Sequence, residues 1–133
     1  MSDREDLRAV MDRFIHEIWH GQRLDVVSEV FKEDARLHLG DDVLTGAGAI
    51  RGFIKGVQTA FPDLRYEVAD LFIDGDRIAM RYLGTATHRG DYDGKAATGH
   101  RLDYEGIAIF HMDGTRIAEV WSQSDRALKF AAL

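Results

Sequence analysis

Pro62 divides this chain in two. It is the single proline of the sequence, and the hydrophobic period changes across it from helical to extended. Before it, Leu7, Val10, Met11, Phe14, Ile15, Ile18 and Trp19 recur at the i, i+3, i+4, i+7 spacing of one helical face. Ser2 and Glu5 offer a capping box and Gly21 a C-terminal stop. A short second helix is expected from Asp25 to Phe31, then a short strand in "ARLHL", Ala35 to Leu39. Thr45 is a candidate N-cap for a third helix with Ile50, Phe53, Ile54, Val57 and Phe61 as its apolar stripe. Pro62 stops that helix, because proline lacks an N–H and disfavours helix in the residue before it.

After Pro62 the runs are strand-like. "LRYEVADLFI", the turn "DGD", "RIAMRYLGTATHR", the loop "GDYDGKAATG", "HRLDYEGIAIFHM", the turn at Asp113–Gly114 and "TRIAEVWSQSD" follow in order. Asp-Gly between β-rich runs signals a hairpin. "RALKFAAL" closes the chain as a short helix. The order α-α-β-α-β-β-β-β predicts an α+β fold, a curved and mostly antiparallel sheet with three N-terminal helices on its concave face. With 133 residues, the chain is expected to be one domain, 1–133.

The net charge of -6 argues against a nucleic-acid surface and against an anionic membrane. No cysteine is present, which excludes disulfides, thiolate metal sites and a cysteine nucleophile. No apolar run reaches the ~20 residues of a membrane span, and the opening "MSDREDLRAV" has no signal-like apolar core. A cytoplasmic location is expected.

"HEIWH", His16 to His20, matches the H-E-x-x-H zinc signature. On an α-helical wheel the two histidines share a face, but it lies opposite the apolar stripe, so it is expected to meet water. The extended form with a third histidine is absent. No metal site is expected here, and Trp19, at the edge of the stripe, is the residue placed to line a pocket.

Helices over a bent sheet leave a concave, apolar cavity suited to a small molecule. Strand alternation puts Glu119, Trp121, Gln123 and Asp125 on one face. A carboxylate beside a tryptophan in such a cavity can act as a general base; Asp125 can equally cap the last helix. His111 ends the preceding strand and can hydrogen-bond a substrate oxygen. A two-residue turn pairs His111 with Arg116, and a three-residue turn pairs it with Ile117 on Asp125's face. His38, Arg81 and Tyr104 lie in strands and His88 at a strand end, each able to face the cavity or to serve the structure. The glycine-rich loop lacks phosphate-loop spacing and is read as a mobile rim.

"FPDLR", "GTATHRG" and "DGTRIAEVWSQSD" carry a resemblance over nearly the whole chain. They resemble the SnoaL-like polyketide cyclases of the NTF2-like superfamily, which includes ketosteroid isomerase and scytalone dehydratase. The resemblance implies a cone-shaped α+β barrel and a homodimer packed through the outer sheet face. It implies intramolecular aldol condensation on a hydrophobic, carbonyl-bearing small molecule, without metal or organic cofactor. It matches Asp125 to the catalytic acid/base, His111 to its assistant and Trp19 to a pocket aromatic. The Asn-His pair common on the family's first strand is reduced here to His38, with Leu37 in the amide's place. Two rival classes stay open: a dehydratase or isomerase on the same fold, and a non-catalytic binder of small molecules.

Overall fold

The computed structural model describes residues 3–133. Ser2, half of the expected capping box, lies outside them. Asp3 fills the N-cap position, its carboxylate accepting from the Asp6 N–H at 2.8 Å. Glu5 and Asp6 add negative charge to the first turn, where the helix dipole favours it.

Helix α1 (Arg4–Arg13) buries Leu7, Val10 and Met11. It does not continue as an α-helix to Gly21. From Phe14 to His20 the winding widens to a π-helix, and the Gly21 N–H closes it on the His16 carbonyl at 2.9 Å. Wide turns rotate less per residue, so the α-helical wheel misplaces the end of this segment. His16 stays exposed, but His20 is half-buried, and its Nε2 accepts from the Tyr66 N–H at 2.9 Å. Its expected solvated position is thereby corrected. Buried Gln58 secures the wide turn by donating from Nε2 to the Ile18 and Trp19 carbonyls, at 2.9 and 3.3 Å.

A 3-10 turn, Leu24–Val26, leads into the single turn of α2 (Val27–Val30). Strand β1 (Phe31–Leu39) begins at Phe31, where helix was expected. Gly40, at φ +60, turns the chain into β2 (Asp42–Thr45), a short strand the hydrophobic pattern did not announce. Thr45 therefore ends a strand and caps nothing. Helix α3 (Ala47–Ala60) starts after Gly46, whose φ of +97 suits glycine.

The remaining strands are β3 (Arg65–Asp74), β4 (Arg77–Thr87), β5 (Arg101–Asp113) and β6 (Arg116–Ser124), followed by α4 (Arg126–Ala131). They build one six-stranded sheet in the order β2-β1-β6-β5-β4-β3. Only the β1–β6 pair is parallel. Alternate residues of β5, from Leu102 and Tyr104 to Ala108, Phe110 and Met112, are buried on the concave face. Against them pack Ile15 and Ile18 of the π turn and Ile50, Ile54 and Val57 of α3, in one continuous apolar core. Among the described residues no helix is long and apolar enough to cross a membrane.

Candidate functional site

Helices and sheet do not close completely. Between them lies a cavity of about 590 Å³. Its walls are apolar: Phe14 and Trp19 from the π turn, Phe53 and Ile54 from α3, and Met80, Ala108, Phe110 and Val120 from the sheet. Asp42 and Asp93 reach it from exposed positions on β2 and on the loop after β4. Tyr66, Tyr82, Ser122 and Arg126 gather its polar groups at one end.

The strand register places those phenols. Tyr66, Gly84 and Tyr104 form one row across β3, β4 and β5; Tyr82, Gly106 and Ser124 form the next across β4, β5 and β6. In each row the glycine is the gap into which a ring lies. A Cβ on Gly84 would stand 2.7 Å from Tyr104 Cζ and 3.0 Å from Tyr66 Cε1, and one on Gly106 2.6 Å from Tyr82 Cζ. The Tyr66 and Tyr104 rings stand edge to face, 82° apart, and their hydroxyls meet at 2.5 Å. The Tyr82 hydroxyl reaches Ser122 Oγ at 3.0 Å. Burial pushes Tyr104 up to about 12 and Tyr66 well above the ordinary phenol range. Both are neutral hydroxyls at pH 7, able to donate.

Arg126 opens α4 beside this cluster. Its guanidinium lies 5.4 Å from the Phe53 ring centroid and 6.0 Å from that of Tyr92, within cation–π range. Tyr66 and Tyr82 line the same end of the cavity, and Tyr104 is hydrogen-bonded to Tyr66. Together these groups can stabilise negative charge developing on a ligand oxygen in a water-poor space.

The expected site residues scatter. Trp19 lines the cavity, edge-on to Tyr66 at 5.1 Å, and Gln123 reaches its rim. Tyr104 stands behind Tyr66. Trp121 and His38 are on the other face of the sheet, stacked at 5.3 Å, with His38 Nε2 2.6 Å from Glu119 Oε2. Arg81 is outside too, paired with Asp70 at 2.7 Å. The alternation that groups Glu119 with Trp121 holds, but that face is the convex one. Val120 and Ser122 point inward in their stead.

His88 is fully buried beneath the glycine-rich loop rather than in the cavity. Its Nδ1 takes the Thr98 N–H at 3.3 Å, and its ring packs on Phe61 and Phe130. It fastens that loop to α3 and α4.

His111 pairs with Glu119, because the chain turns at Gly114–Thr115 and β6 then bulges at Ala118. This is neither expected register. The histidine faces Asp76 at 3.2 Å, on the hairpin end of β5. Asp125 sits at the opposite end of the same strand pair. Its Oδ1 accepts from the Glu105 N–H at 2.9 Å, and its own N–H donates to the Glu105 carbonyl at 3.1 Å. The structure does not bring the two together. Nor does the carboxylate cap α4, where Ser124 Oγ takes the Arg126 N–H at 3.3 Å.

Among the described residues no group of three His, Asp or Glu side chains is placed to hold a metal ion. The His16 and His20 rings are 5.3 Å apart, edge to face, and one His20 nitrogen is committed to Tyr66. The residues that sequence reasoning passed over are Arg126, Tyr66 and Tyr82. Their signal was present: an Arg at the start of the last helix, and Tyr and Gly exchanging places on neighbouring strands.

No curated protein matches the chain at a significant level of sequence similarity. Solved structures match its full length. A candidate SnoaL-like polyketide cyclase from Jannaschia sp. CCS1 is 19% identical, with a TM-score of 0.89 over 99% of this chain and 96% of that one. TsrD from Streptomyces laurentii is 21% identical, with a TM-score of 0.88 over 99% and 96%. A candidate polyketide cyclase from Acidithiobacillus ferrooxidans is 26% identical, with a TM-score of 0.82 over 100% and 97%. The family model described as SnoaL-like polyketide cyclase matches residues 9–133. Because that match spans nearly the whole chain, the chain belongs to the SnoaL-like polyketide cyclase family.

Proposed function

We propose that the chain catalyses a cyclase-type reaction, an intramolecular aldol closure, on a hydrophobic carbonyl-bearing molecule held in this cavity. One observation carries the reading: phenol and guanidinium donors converge at one end of an otherwise apolar space. In such a reaction a base removes a proton from the carbon beside a carbonyl. The C–H electron pair becomes an enolate, whose oxygen takes the negative charge. The enolate carbon then attacks a second carbonyl of the same molecule, forming the ring C–C bond, and the new alkoxide takes up a proton. Tyr66, Tyr82 and Arg126 stabilise the enolate and alkoxide oxygens. Phe14, Trp19 and Phe53 hold the chain folded so that the reacting carbons meet, which is where ring closure gains most.

Asp125 is the proposed proton acceptor. It lies in the chain between Ser124 and Arg126, which line the cavity although Asp125 itself does not, and its hydrogen bond to Glu105 uses Oδ1 alone. Asp125→Asn keeps an oxygen for the Glu105 N–H and removes the base. It is expected to lower turnover by about 10²–10⁴-fold with little change in melting temperature. Full turnover in that variant overturns the assignment.

A second reading has its own support: neither His nor Glu lines the cavity, and its two aspartates stand at exposed positions. A binder without catalysis fits that wall. Solvent deuterium appearing in the recovered ligand decides for the enzyme, and its absence for the binder.

The partner proposal is a second copy of this chain on the outer sheet face. Phe72, Ala79, Ile109, Trp121 and His38 fall in one row across five strands. Phe72 and Ile109 are exposed, as is nearby Ile107. Arg36, Arg77, Arg81, Glu119 and Asp70 lie around the row, so the surface carries both charges and is able to complement itself.

A further inference from the structure

The Arg126 guanidinium forms no ion pair among the described residues, and the two carboxylates that share the cavity with it, Asp42 and Asp93, stand at exposed positions. Arg13, Arg23, Arg36, Arg81 and Arg101 each meet a carboxylate. Among the described residues none pairs with Arg126. The groups that share its end of the cavity are phenols: Tyr66, Tyr82 and Tyr92 in the lining, and Tyr104 hydrogen-bonded to Tyr66. Burial raises the pKa of Tyr66, Tyr92 and Tyr104, so these solvate the guanidinium without neutralising it. The other cation of the region, Lys95, is spent on the Phe130 and Leu133 carbonyls, at 3.0 and 3.1 Å.

A half-buried charge with neutral neighbours is a costly arrangement in the absence of a ligand. Arginine is always protonated, and its planar fork matches two oxygens sharing one negative charge. The aromatic faces of Phe53 and Tyr92 hold the fork in place, and the space before it is apolar.

We infer that Arg126 recognises a carboxylate carried by an otherwise apolar ligand. This rests on the cavity being a small-molecule site, and it deepens that reading by giving the ligand a charge. Neutral esters of the same skeleton lose the pairing and bind more weakly.

The test titrates the full chain with anthraquinone-2-carboxylate and with its methyl ester, by calorimetry at pH 7 and low salt. The acid is expected to bind at least tenfold more tightly. Arg126→Gln is expected to abolish the preference by bringing the acid's affinity down to about that of the ester, and Arg126→Lys to retain part of it. Ala108→Phe, which fills the cavity, is expected to weaken both probes. Equal affinity for acid and ester in the wild-type chain overturns the inference without needing any variant to fold. If both bind equally and Ala108→Phe still blocks them, the cavity reading survives and the charge assignment falls. If neither binds, or Ala108→Phe changes nothing, the cavity reading falls with it.

Discussion

His111 and Asp125 stand at opposite ends of the β5–β6 pair. His111 lies beside the turn, opposite Glu119, whereas Asp125 meets Glu105 at the far end. From Glu105 to His111 the strand rises by roughly 20 Å, so the two side chains cannot serve one reacting carbon. His111→Gln is therefore expected to keep steady-state turnover near that of the parent chain. A loss of the ~10²-fold typical of an acid/base group would overturn this geometry.

The glycine gaps make a second prediction. Gly84→Ala puts a methyl group against both the Tyr66 and Tyr104 rings. It is expected to cost about 1–3 kcal/mol in chemical denaturation, the range of overpacked cores, and to weaken ligand binding as the phenols shift. Gly106→Ala is expected to be worse. Its methyl group would meet the Gln123 backbone carbonyl at 2.7 Å as well as Tyr82, and a backbone atom yields less than a ring. A Gly84→Ala variant as stable as the parent would show that the tyrosines do not depend on the gap.

How much of this was legible in the sequence follows from which interactions are local. Period changes and Asp-Gly turns placed α1, α3 and β3 to β6, because helix and strand patterns repeat within a few residues. The π turn was not legible: the Gly21–His16 bond competes with an α-helical one of similar local cost, and Gln58, about forty positions away, tips the balance. Strand β2 was hidden because "DVLT" is too short to show alternation. Of the site, Trp19 could be placed from its helix edge. Trp121 could not, since alternation groups residues on a face without saying which face is concave. The separation of His111 from Asp125 was in fact available. Antiparallel strands joined by a tight turn always put the end of one beside the start of the other.

Self-association is tested on the outer row. Phe72 is 68% exposed and Ile109 39%, values that place both in solvent in a single chain. Substituting Ile109→Glu puts like charges face to face across a two-fold axis. Sedimentation velocity is expected to show a dimer for the parent chain and a monomer for the variant, with unchanged helix content by circular dichroism. A parent chain that sediments as a monomer at tens of micromolar ends the proposal.

The pH response of stability turns on His20. Burial, with the nearby positive charges of Arg65 and His16, lowers its pKa below the ordinary 6.5. Geometry gives the same sign, since Nε2 must be unprotonated to accept from the Tyr66 N–H. The unfolded chain therefore takes up a proton at a higher pH than the folded one. This contribution to stability is complete above the unfolded value and is lost as the pH falls through 6.5 towards the folded one. Protonation would break a bond that fixes β3 to the π turn, and with it the positions of Tyr66 and Trp19. His20→Gln keeps an acceptor for Tyr66 but cannot titrate. Urea unfolding between about pH 8 and pH 5 is expected to show a decline in stability for the parent chain that is shallower in this variant. Parallel declines in the two proteins would assign the acid sensitivity to groups other than His20.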